Sequence, residues 1–221
     1  MPHMVHAHPI DLEQWPRRAH FEHYRHRRPT YFALTVGVDV TRLDAQLRTH
    51  GRRTYPAHIW ALATVVNRRE EFRMTVDDDG NPAIWNVTHP SFTVFNPRRE
   101  TFSNIWAHYD PDFRTFHDRV ESLIAEHRDT TSLFPQGFPP PPNLFDISDL
   151  PWVSFDSFTL HVENGWSHYA PVFTLGKFTH QDDRLTMPVS LQIHHAAADG
   201  FHASRLLNEL SELIGAPDWV S

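Results

Sequence analysis

Hydrophobic and polar residues follow regular periods along most of this chain. In "YFALTVGVDV" they alternate, with Phe32, Leu34, Val36 and Val38 on one side, which is typical of a half-buried strand. The runs "FRMTV" and "AIWNV" flank the turn sequence "DDDGNP" and predict a hairpin, and "SFTVF" predicts another strand. The first half of the chain is therefore predicted to supply several strands of a sheet.

Apolar residues at helical spacing predict five helices. The first helix is predicted in "DLEQWPRRAHFEHYRHR", where Pro16 is compatible only with the first helical turn. Two more helices are predicted to begin at a Thr41 cap and near Pro56. The segment "DFRTFHDRVESLIAEH" has the clearest apolar stripe, and the last helix is predicted to end at Gly215.

Three apolar runs in the last third predict strands: "WVSFDSFTLHV", "YAPVFTLGKFT" and "RLTMPVSLQIHH", the last two joined by the turn "HQDDR". The proline-rich "FPQGFPPPPNLF" is interpreted as an ordered loop, because packed patterns continue on both sides of it. Strands interspersed with helices predict a single α/β domain over residues 1–221. Its expected architecture is a two-layer sandwich with a mixed β-sheet covered by helices.

Composition narrows the class of protein. With 221 residues, 40% hydrophobic and 13% aromatic, the chain is predicted to fold around a sizeable core. The formal charge of −7 means that the overall charge of the chain does not favour binding to nucleic acid. The absence of cysteine excludes disulfides and thiolate catalysis. The amino terminus lacks the pattern of a secretion signal, and no apolar run approaches the ~20 residues of a membrane span. We therefore expect a cytoplasmic protein with no membrane partner.

The stretch "QIHHAAADGFH" stands between the last predicted strand and the last predicted helix. Alternation along the strand places His195 on the face of Leu191 and Ile193, with His194 on the more polar face. A buried, hydrogen-bonded imidazole with a pKa near neutrality is what a general base requires. Asp199 is placed to cap the following helix or to pair with a cation.

Two other interpretations of these residues stay open at this point. A histidine at a strand end is commonly a core or surface residue without chemistry. A metal site is the other alternative, because His195, Asp199 and His202 would share one face of a continuous helix. The alternating run before His195 argues against such a helix, so we expect no metal.

The same stretch resembles the H-H-x-x-x-D-G-F-H signature of the trimeric chloramphenicol acetyltransferases. Its H-x-x-x-D-G core is shared with dihydrolipoamide acyltransferases and with condensation domains. The segments "WPRRAHFEHYRH", "EFRM", "FTVF", "ETFSNIW", "LFPQGF", "ISDLPWVSFDSFTL" and "YAPVFTLGKF" also resemble that family, in order. The resemblance runs from about Trp15 to Leu213. It implies the fold of coenzyme A-dependent acyltransferases, a homotrimer, and active sites at the subunit interfaces.

The resemblance also implies roles for five residues. His195 is the implied general base, and Ser148 is implied to stabilise the tetrahedral oxyanion. Thr174 is implied to help bind the intermediate through an ordered water. Asp199 and Arg17 are implied to form a buried ion pair that fixes the architecture around the histidine.

Acetyl-coenzyme A is the implied co-substrate and chloramphenicol the implied acceptor, with antibiotic resistance as the result. The implied coenzyme contacts are Tyr55 and Trp152. His23 and Arg28 stand where several relatives have apolar residues, which predicts altered affinity or substrate range if they face the ligand. The family positions that line the antibiotic pocket correspond to Tyr24, Phe102, Phe134, Phe158, Leu160, Val162 and Val172.

Three alternatives to this function remain. A relative of the same fold could transfer an acyl group to another hydroxyl acceptor. A hydrolase using Ser148, His195 and Asp199 is disfavoured, because the chain lacks a G-x-S-x-G nucleophile elbow. A non-catalytic hydrophobic binding module would leave His195 expendable.

Overall fold

The computed structural model describes residues 5–160 and 168–221 of the chain. In these segments the α-helices are α1 (Arg18–Glu22), α2 (Thr41–Thr49), α3 (Thr54–Asn67), α4 (Phe113–His127) and α5 (Gly200–Gly215). The strands are β1 (Ala7–Pro9), β2 (Tyr31–Asp39), β3 (Met74–Val76), β4 (Pro82–Trp85), β5 (His89–Asn96), β6 (Thr101–Trp106), β7 (Leu144–Leu150), β8 (Val172–Gly176), β9 (Thr179–Gln181) and β10 (Arg184–His194).

Seven strands form the main sheet, in the order β2-β10-β8-β7-β5-β6, with β9 paired to the start of β10. The β5–β7 and β7–β8 pairs are parallel, and the remaining pairs of this sheet are antiparallel. A smaller antiparallel sheet joins β1, β4 and β3. The prediction of an α/β fold with a mixed sheet is therefore confirmed.

Helices supply the second layer. The apolar segment from Pro56 to Val66 makes α3 buried on every side, and α3 contacts α4, α5 and β5. Helix α4 buries one face, formed by Phe113, Phe116, His117 and Val120, as an amphipathic surface helix should. The core therefore lies between the sheet and this helical layer.

The amino-terminal helical segment is less regular than the sequence predicts. Helix α1 has only five residues, and a π-helical turn over His23–Arg27 continues it. Pro16 lies just before α1. A backbone N–H at this position would make no hydrogen bond within the helix, so proline causes no loss there. This turn carries Tyr24 toward the end of β10.

One predicted strand is wrong. In "WVSFDSFTLHV" the described residues 152–160 form no strand. Their backbone is hydrogen-bonded by side chains of β10 and not by the backbone of a neighbouring strand. Ser190 Oγ donates to the Phe158 carbonyl at 2.8 Å, and the Leu160 amide donates to Gln192 Oε1 at 2.8 Å. Phe158 and Leu160 therefore share no strand face, and Val162 lies outside the described residues.

Two smaller corrections concern strand and helix ends. Thr41 begins α2 but does not cap it, since its amide and hydroxyl donate to the Asp39 carboxylate at 3.0 and 2.6 Å. The predicted strand "YAPVFTLGKFT" is interrupted between β8 and β9. Strands β1, β6 and β7 were not predicted at all. Among the described residues, no helix is long and apolar enough to cross a membrane.

Candidate active site

His195 lies in the turn between β10 and α5, and aromatic rings hold it. Its ring stacks on Tyr24 with 3.8 Å between centroids and 4° between planes, and Phe32 contacts it edge-on at 5.2 Å. The His195 amide donates to the Thr30 carbonyl at 2.8 Å. His23 lies edge-on against Tyr24 at 4.9 Å, while Arg28 is exposed. The ring is thus fixed by stacking between elements from both ends of the chain.

The two ring nitrogens of His195 are in different surroundings. Nδ1 is buried and has no hydrogen-bond partner in the described part of the chain, which corrects the expectation of a hydrogen-bonded ring. Nε2 is therefore the nitrogen left to meet a substrate. A general base needs one unprotonated nitrogen within reach of the proton that it takes, so a catalytic role of His195 would depend on Nε2.

Arg17 and Asp199 form an ion pair beside this turn, with 2.6 Å between Nη1 and Oδ2. The other terminal nitrogen of Arg17 donates to the His195 carbonyl at 3.2 Å. The Asp199 carboxylate also caps α5 by accepting from the Phe201 and His202 amides. Burial raises the pKa of Asp199, but the charges of His202 and Arg17 outweigh it and lower the pKa. Both predicted positions of Asp199, as cap and as ion-pair partner, are confirmed.

His194 is not the polar, accessible neighbour that alternation predicted. It is 3% exposed, because β10 is a central strand that is buried on both faces. Its Nδ1 accepts from the Ala196 amide at 3.0 Å. Burial, followed by the charges of His195 and Arg25, lowers the pKa of His194 to about 4. His194 is thus a neutral structural residue that shapes the turn.

Ser148 lies in a row of hydroxyl side chains that crosses the sheet. Ser148 of β7 pairs with Thr174 of β8, which pairs with Ser190 of β10, which pairs with Thr35 of β2. Directly paired residues point to the same side of a sheet, so these hydroxyls share one face. Thr174 is only 2% exposed, whereas Ser148 is half-buried. The two ends of the row, Ser148 and Thr35, are thus both more accessible than its middle.

A cavity of about 390 Å³ opens at Ser148 and is called the Ser148 cavity here. Phe102, Leu160 and Val172 line it, as the resemblance implies. Phe134 lines a separate cavity of about 270 Å³ beneath the proline-rich loop, which shares Asn104 and Asp146 with the first. Phe158 lines neither of these two cavities, because its ring packs on Phe155 at 5.6 Å. The predicted aromatic wall is thus divided between neighbouring cavities.

Tyr55 and Trp152 line a third cavity of about 560 Å³, the Tyr55 cavity. It adjoins the Ser148 cavity, since Thr93, Phe95, Asp149 and Trp152 line both. The Tyr55 hydroxyl donates to the Thr93 carbonyl at 3.2 Å, and burial raises the pKa of this phenol. The two predicted coenzyme residues therefore face a common space that continues to Ser148.

His195 lines none of these three cavities. Tyr24, predicted as a pocket residue, packs on His195 instead of lining them. The predicted site residues of one chain thus fall into two groups, which are called half-sites here. The first, the histidine end, comprises His195, Tyr24, Phe32, Arg17 and Asp199. The second, the strand face, comprises Ser148, Thr174 and the Ser148 and Tyr55 cavities.

Polar residues that the sequence reasoning missed lie on the strand face. Asp146 lines the Ser148 cavity and pairs with His168, with 3.2 Å between Oδ2 and Nε2. Asp149 lines the Ser148 and Tyr55 cavities alike. Both flank Ser148 in "FDISDLPW", so recognising β7 as a strand would have placed them at the site.

One cluster of potential metal ligands occurs among the described residues, at the edge of the Tyr55 cavity, which its member Glu121 also lines. It consists of His117, Asp118 and Glu121. Arg52 and Arg53 pair with the two carboxylates, and His117 Nε2 accepts from the Arg53 amide at 2.9 Å. These arginines neutralise the carboxylates that a cation needs, so the cluster does not fit a metal.

Known proteins match this chain over most of its length. Residues 5–211 match the family described as "Chloramphenicol acetyltransferase". A chloramphenicol acetyltransferase of Streptomyces acrimycini is 61% identical over 212 residues, 96% of each protein. Chloramphenicol acetyltransferase 3 of Escherichia coli is 43% identical over 207 residues, 94% of this chain and 96% of the relative.

Solved structures show the same fold at lower identity. A chloramphenicol acetyltransferase superposes with a TM-score of 0.86 at 22% identity, covering 95% of this chain and all of the other. The dihydrolipoamide acetyltransferase of Azotobacter vinelandii superposes with a TM-score of 0.67 at 19% identity, covering 86% and 83%. The two solved structures thus share the fold of this chain.

Proposed function

The chain belongs to the chloramphenicol acetyltransferase family, and from this premise we propose that it acetylates the primary hydroxyl of chloramphenicol, using acetyl-coenzyme A. The observation that carries the proposal is the 61% identity over 96% of a chloramphenicol acetyltransferase. Acetylation of the antibiotic makes the protein a resistance enzyme. Location in the cytoplasm stays a prediction from the sequence.

His195 acts as the general base. The acceptor hydroxyl gives its proton to Nε2 while its oxygen forms a bond to the thioester carbonyl carbon. The carbon–sulfur bond then breaks, and the coenzyme thiolate takes the proton back from the imidazolium. Stacking on Tyr24 and the buried Nδ1 support this role, because they leave one nitrogen accessible in a fixed orientation.

Ser148 donates its hydroxyl to the oxyanion of the tetrahedral intermediate. Its position at the mouth of the Ser148 cavity, beside the Tyr55 cavity, supports this assignment. One such donor in a water-excluded site contributes about 3–4 kcal/mol to the transition state. Thr174, paired with Ser148 across β7 and β8, holds the ordered water of the intermediate.

The acceptor occupies the Ser148 cavity, and the coenzyme occupies the Tyr55 cavity. Phe102, Leu160 and Val172 offer the apolar wall that an aromatic, chlorinated acceptor needs. Tyr55 and Trp152 flank the coenzyme, whose thioester reaches Ser148 where the cavities adjoin.

The active enzyme is a homotrimer in which His195 of one subunit faces the strand face of the next. The separation of the half-sites within one chain supports this arrangement, since a heterologous interface in a closed ring joins two different surfaces. The ion pair of Arg17 and Asp199 keeps the histidine end in shape at that interface.

The experiment is thiol release from acetyl-coenzyme A in the presence and absence of chloramphenicol. We expect rapid release that depends on the antibiotic and is lost in His195→Ala, with antibiotic binding retained. Thiol release without the antibiotic would favour a hydrolase. Release with another alcohol but not with chloramphenicol would favour a different acceptor, and retained activity in His195→Ala would favour a binding role for this residue.

A further inference from the structure

Asp149 is an unusual carboxylate, because it is half-buried and has no polar partner. In residues 5–160 and 168–221 no donor lies within hydrogen-bonding distance of it. Asp199 and Asp112, by contrast, accept from backbone amides at helix starts. A carboxylate that has lost part of its hydration without gaining a donor is destabilised in its charged form.

The charges around Asp149 do not compensate for its burial. Arg53 and Arg128 line the Tyr55 cavity with it, but Arg53 is already paired with Glu121 at 3.4 Å. Tyr55 lies close enough for the Asp149 charge to raise the pKa of the phenol. The Ser148 cavity adds two more acids, Glu100 and Asp146. Burial raises the pKa of Asp149 to about 6, so this group titrates in the physiological range.

Resting on the function proposed above, we propose that Asp149 takes up a proton when the coenzyme enters the Tyr55 cavity. As a neutral carboxylic acid it then donates a hydrogen bond to an amide carbonyl of the pantetheine arm. Two effects of the ligand favour the neutral form: it displaces the remaining water around the carboxyl group, and its phosphates add negative charge to the cavity. The protonated acid also supplies the donor that an amide oxygen needs.

The test is the pH dependence of coenzyme A binding, measured by calorimetry between pH 6 and pH 8.5. Affinity should fall about tenfold or more from pH 6 to pH 8, because the proton must be taken from an increasingly alkaline solution. Asp149→Asn is neutral at every pH and retains a donor, so it should bind more tightly than the parent at pH 8 by a similar factor. The coenzyme's own phosphate titrates near pH 6, so the difference between parent and variant is the quantity to analyse.

Two further measurements sharpen the result. Repeating the titration at pH 7 in buffers of different ionisation heat should show nearly one more proton taken up by the parent than by Asp149→Asn. The matched control Glu126→Gln removes one charge from an exposed side chain of α4 outside the cavity, and it should keep the parental pH slope.

Weaker binding by Asp149→Asn at pH 8, or the same slope as the parent, would overturn the inference and assign the carboxylate an accepting role or none. The parental pH slope above pH 7, where the coenzyme's phosphate has largely titrated, needs no variant, so a misfolded Asp149→Asn cannot hide a negative result. Failure of both proteins to bind coenzyme A at any pH would overturn the proposed coenzyme cavity itself.

Discussion

The histidine end and the strand face differ in how far one chain completes them. At the histidine end, Tyr24 stacks on His195, and Arg17 binds both Asp199 and the His195 carbonyl. On the strand face, Ser148 borders two open cavities and Asp149 lacks a partner in the described part of the chain. In the proposed enzyme, the reacting nitrogen is thus oriented by contacts within its own chain, and the strand face is left for ligands and a neighbouring subunit.

This difference has an energetic meaning. A catalytic group that must act in one orientation is more effective when its neighbours are rigid, because it then loses less conformational entropy on reaching the transition state. A surface that binds a substrate must instead keep polar groups available. Substitutions at the histidine end should therefore affect chemistry or stability, and substitutions on the strand face should affect ligands.

Removal of the imidazole is the largest expected effect. His195→Ala should lower kcat by about 10²–10⁴-fold or more, because general-base catalysis contributes that range, with KM for chloramphenicol nearly unchanged. Steady-state thiol release measures both constants. His180→Ala, at an exposed histidine of β9, should retain parental kcat. A large rise in KM with little loss of kcat would move His195 from the chemistry to substrate binding.

Removal of the Ser148 hydroxyl should have the next largest effect. Ser148→Ala should lower kcat by about 10²–10³-fold, the usual loss for one oxyanion donor, while both substrates still bind. Ser154→Ala, at an exposed serine outside the cavities, is the matched control. Parental kcat in Ser148→Ala would show that another donor stabilises the oxyanion.

Mixing the two inactive variants tests whether the half-sites belong to different chains. Random trimers of His195→Ala and Ser148→Ala would join an intact histidine end to an intact strand face at about one interface in four. Co-expressed variants should therefore regain about a quarter of the parental activity. Ser148→Ala mixed with the double variant is the control and should regain none. No recovery in the first mixture would place both half-sites in one chain.

The fold shows where sequence periodicity was informative and where it was not. Strand β2 alternates at the sheet edge and was predicted correctly. Strand β7 was missed, because its sequence "LFDISDL" places an aspartate on each face and follows a run of prolines. The wrong strand at 152–160 has the apolar content of a strand but lies beside β10, whose ladder positions are already filled by β2 and β8.

The site shows the same limits. The strand–turn–helix around His195 and the cap at Asp199 follow from local pattern, and the structure places both as predicted. The burial of His194 does not, since neighbours on both faces of β10 come from distant parts of the chain. Asp149 was missed for a similar reason: its environment depends on α3 and α4, which pack beside it only after folding.

Loss of the ion pair should reduce stability at the histidine end. Asp199→Asn leaves Arg17 unpaired at 13% side-chain exposure, whereas the aspartate is 31% exposed. We therefore expect a loss of about 2–3 kcal/mol, between the values for surface and buried pairs. Activity should fall as well, because Arg17 also holds the His195 carbonyl. The exposed pair Arg18–Glu22 supplies the control Glu22→Gln, which should change the thermal midpoint little.

The smallest expected effect is an opposite response of the two regions to acid. Burial lowers the pKa of His194 to about 4 and raises that of Asp149 to about 6. The unfolded chain binds more protons at His194 below about pH 6.5, so acid removes stability there as the pH falls toward 4. The folded chain binds more protons at Asp149 between about pH 6 and pH 4, so acid adds stability there.

Two variants separate these contributions to the free energy of unfolding. His194→Asn should flatten the loss of stability between pH 6.5 and pH 4.5, because asparagine keeps an acceptor for the Ala196 amide without titrating. Asp149→Asn should be more stable than the parent at pH 7 and should lose stability more steeply toward pH 4.5, since the compensating carboxylate is gone. Denaturant unfolding at five pH values measures both slopes. Equal slopes in the parent and in both variants would show that neither group changes its proton affinity on folding, and the two regions would then differ in geometry but not in charge.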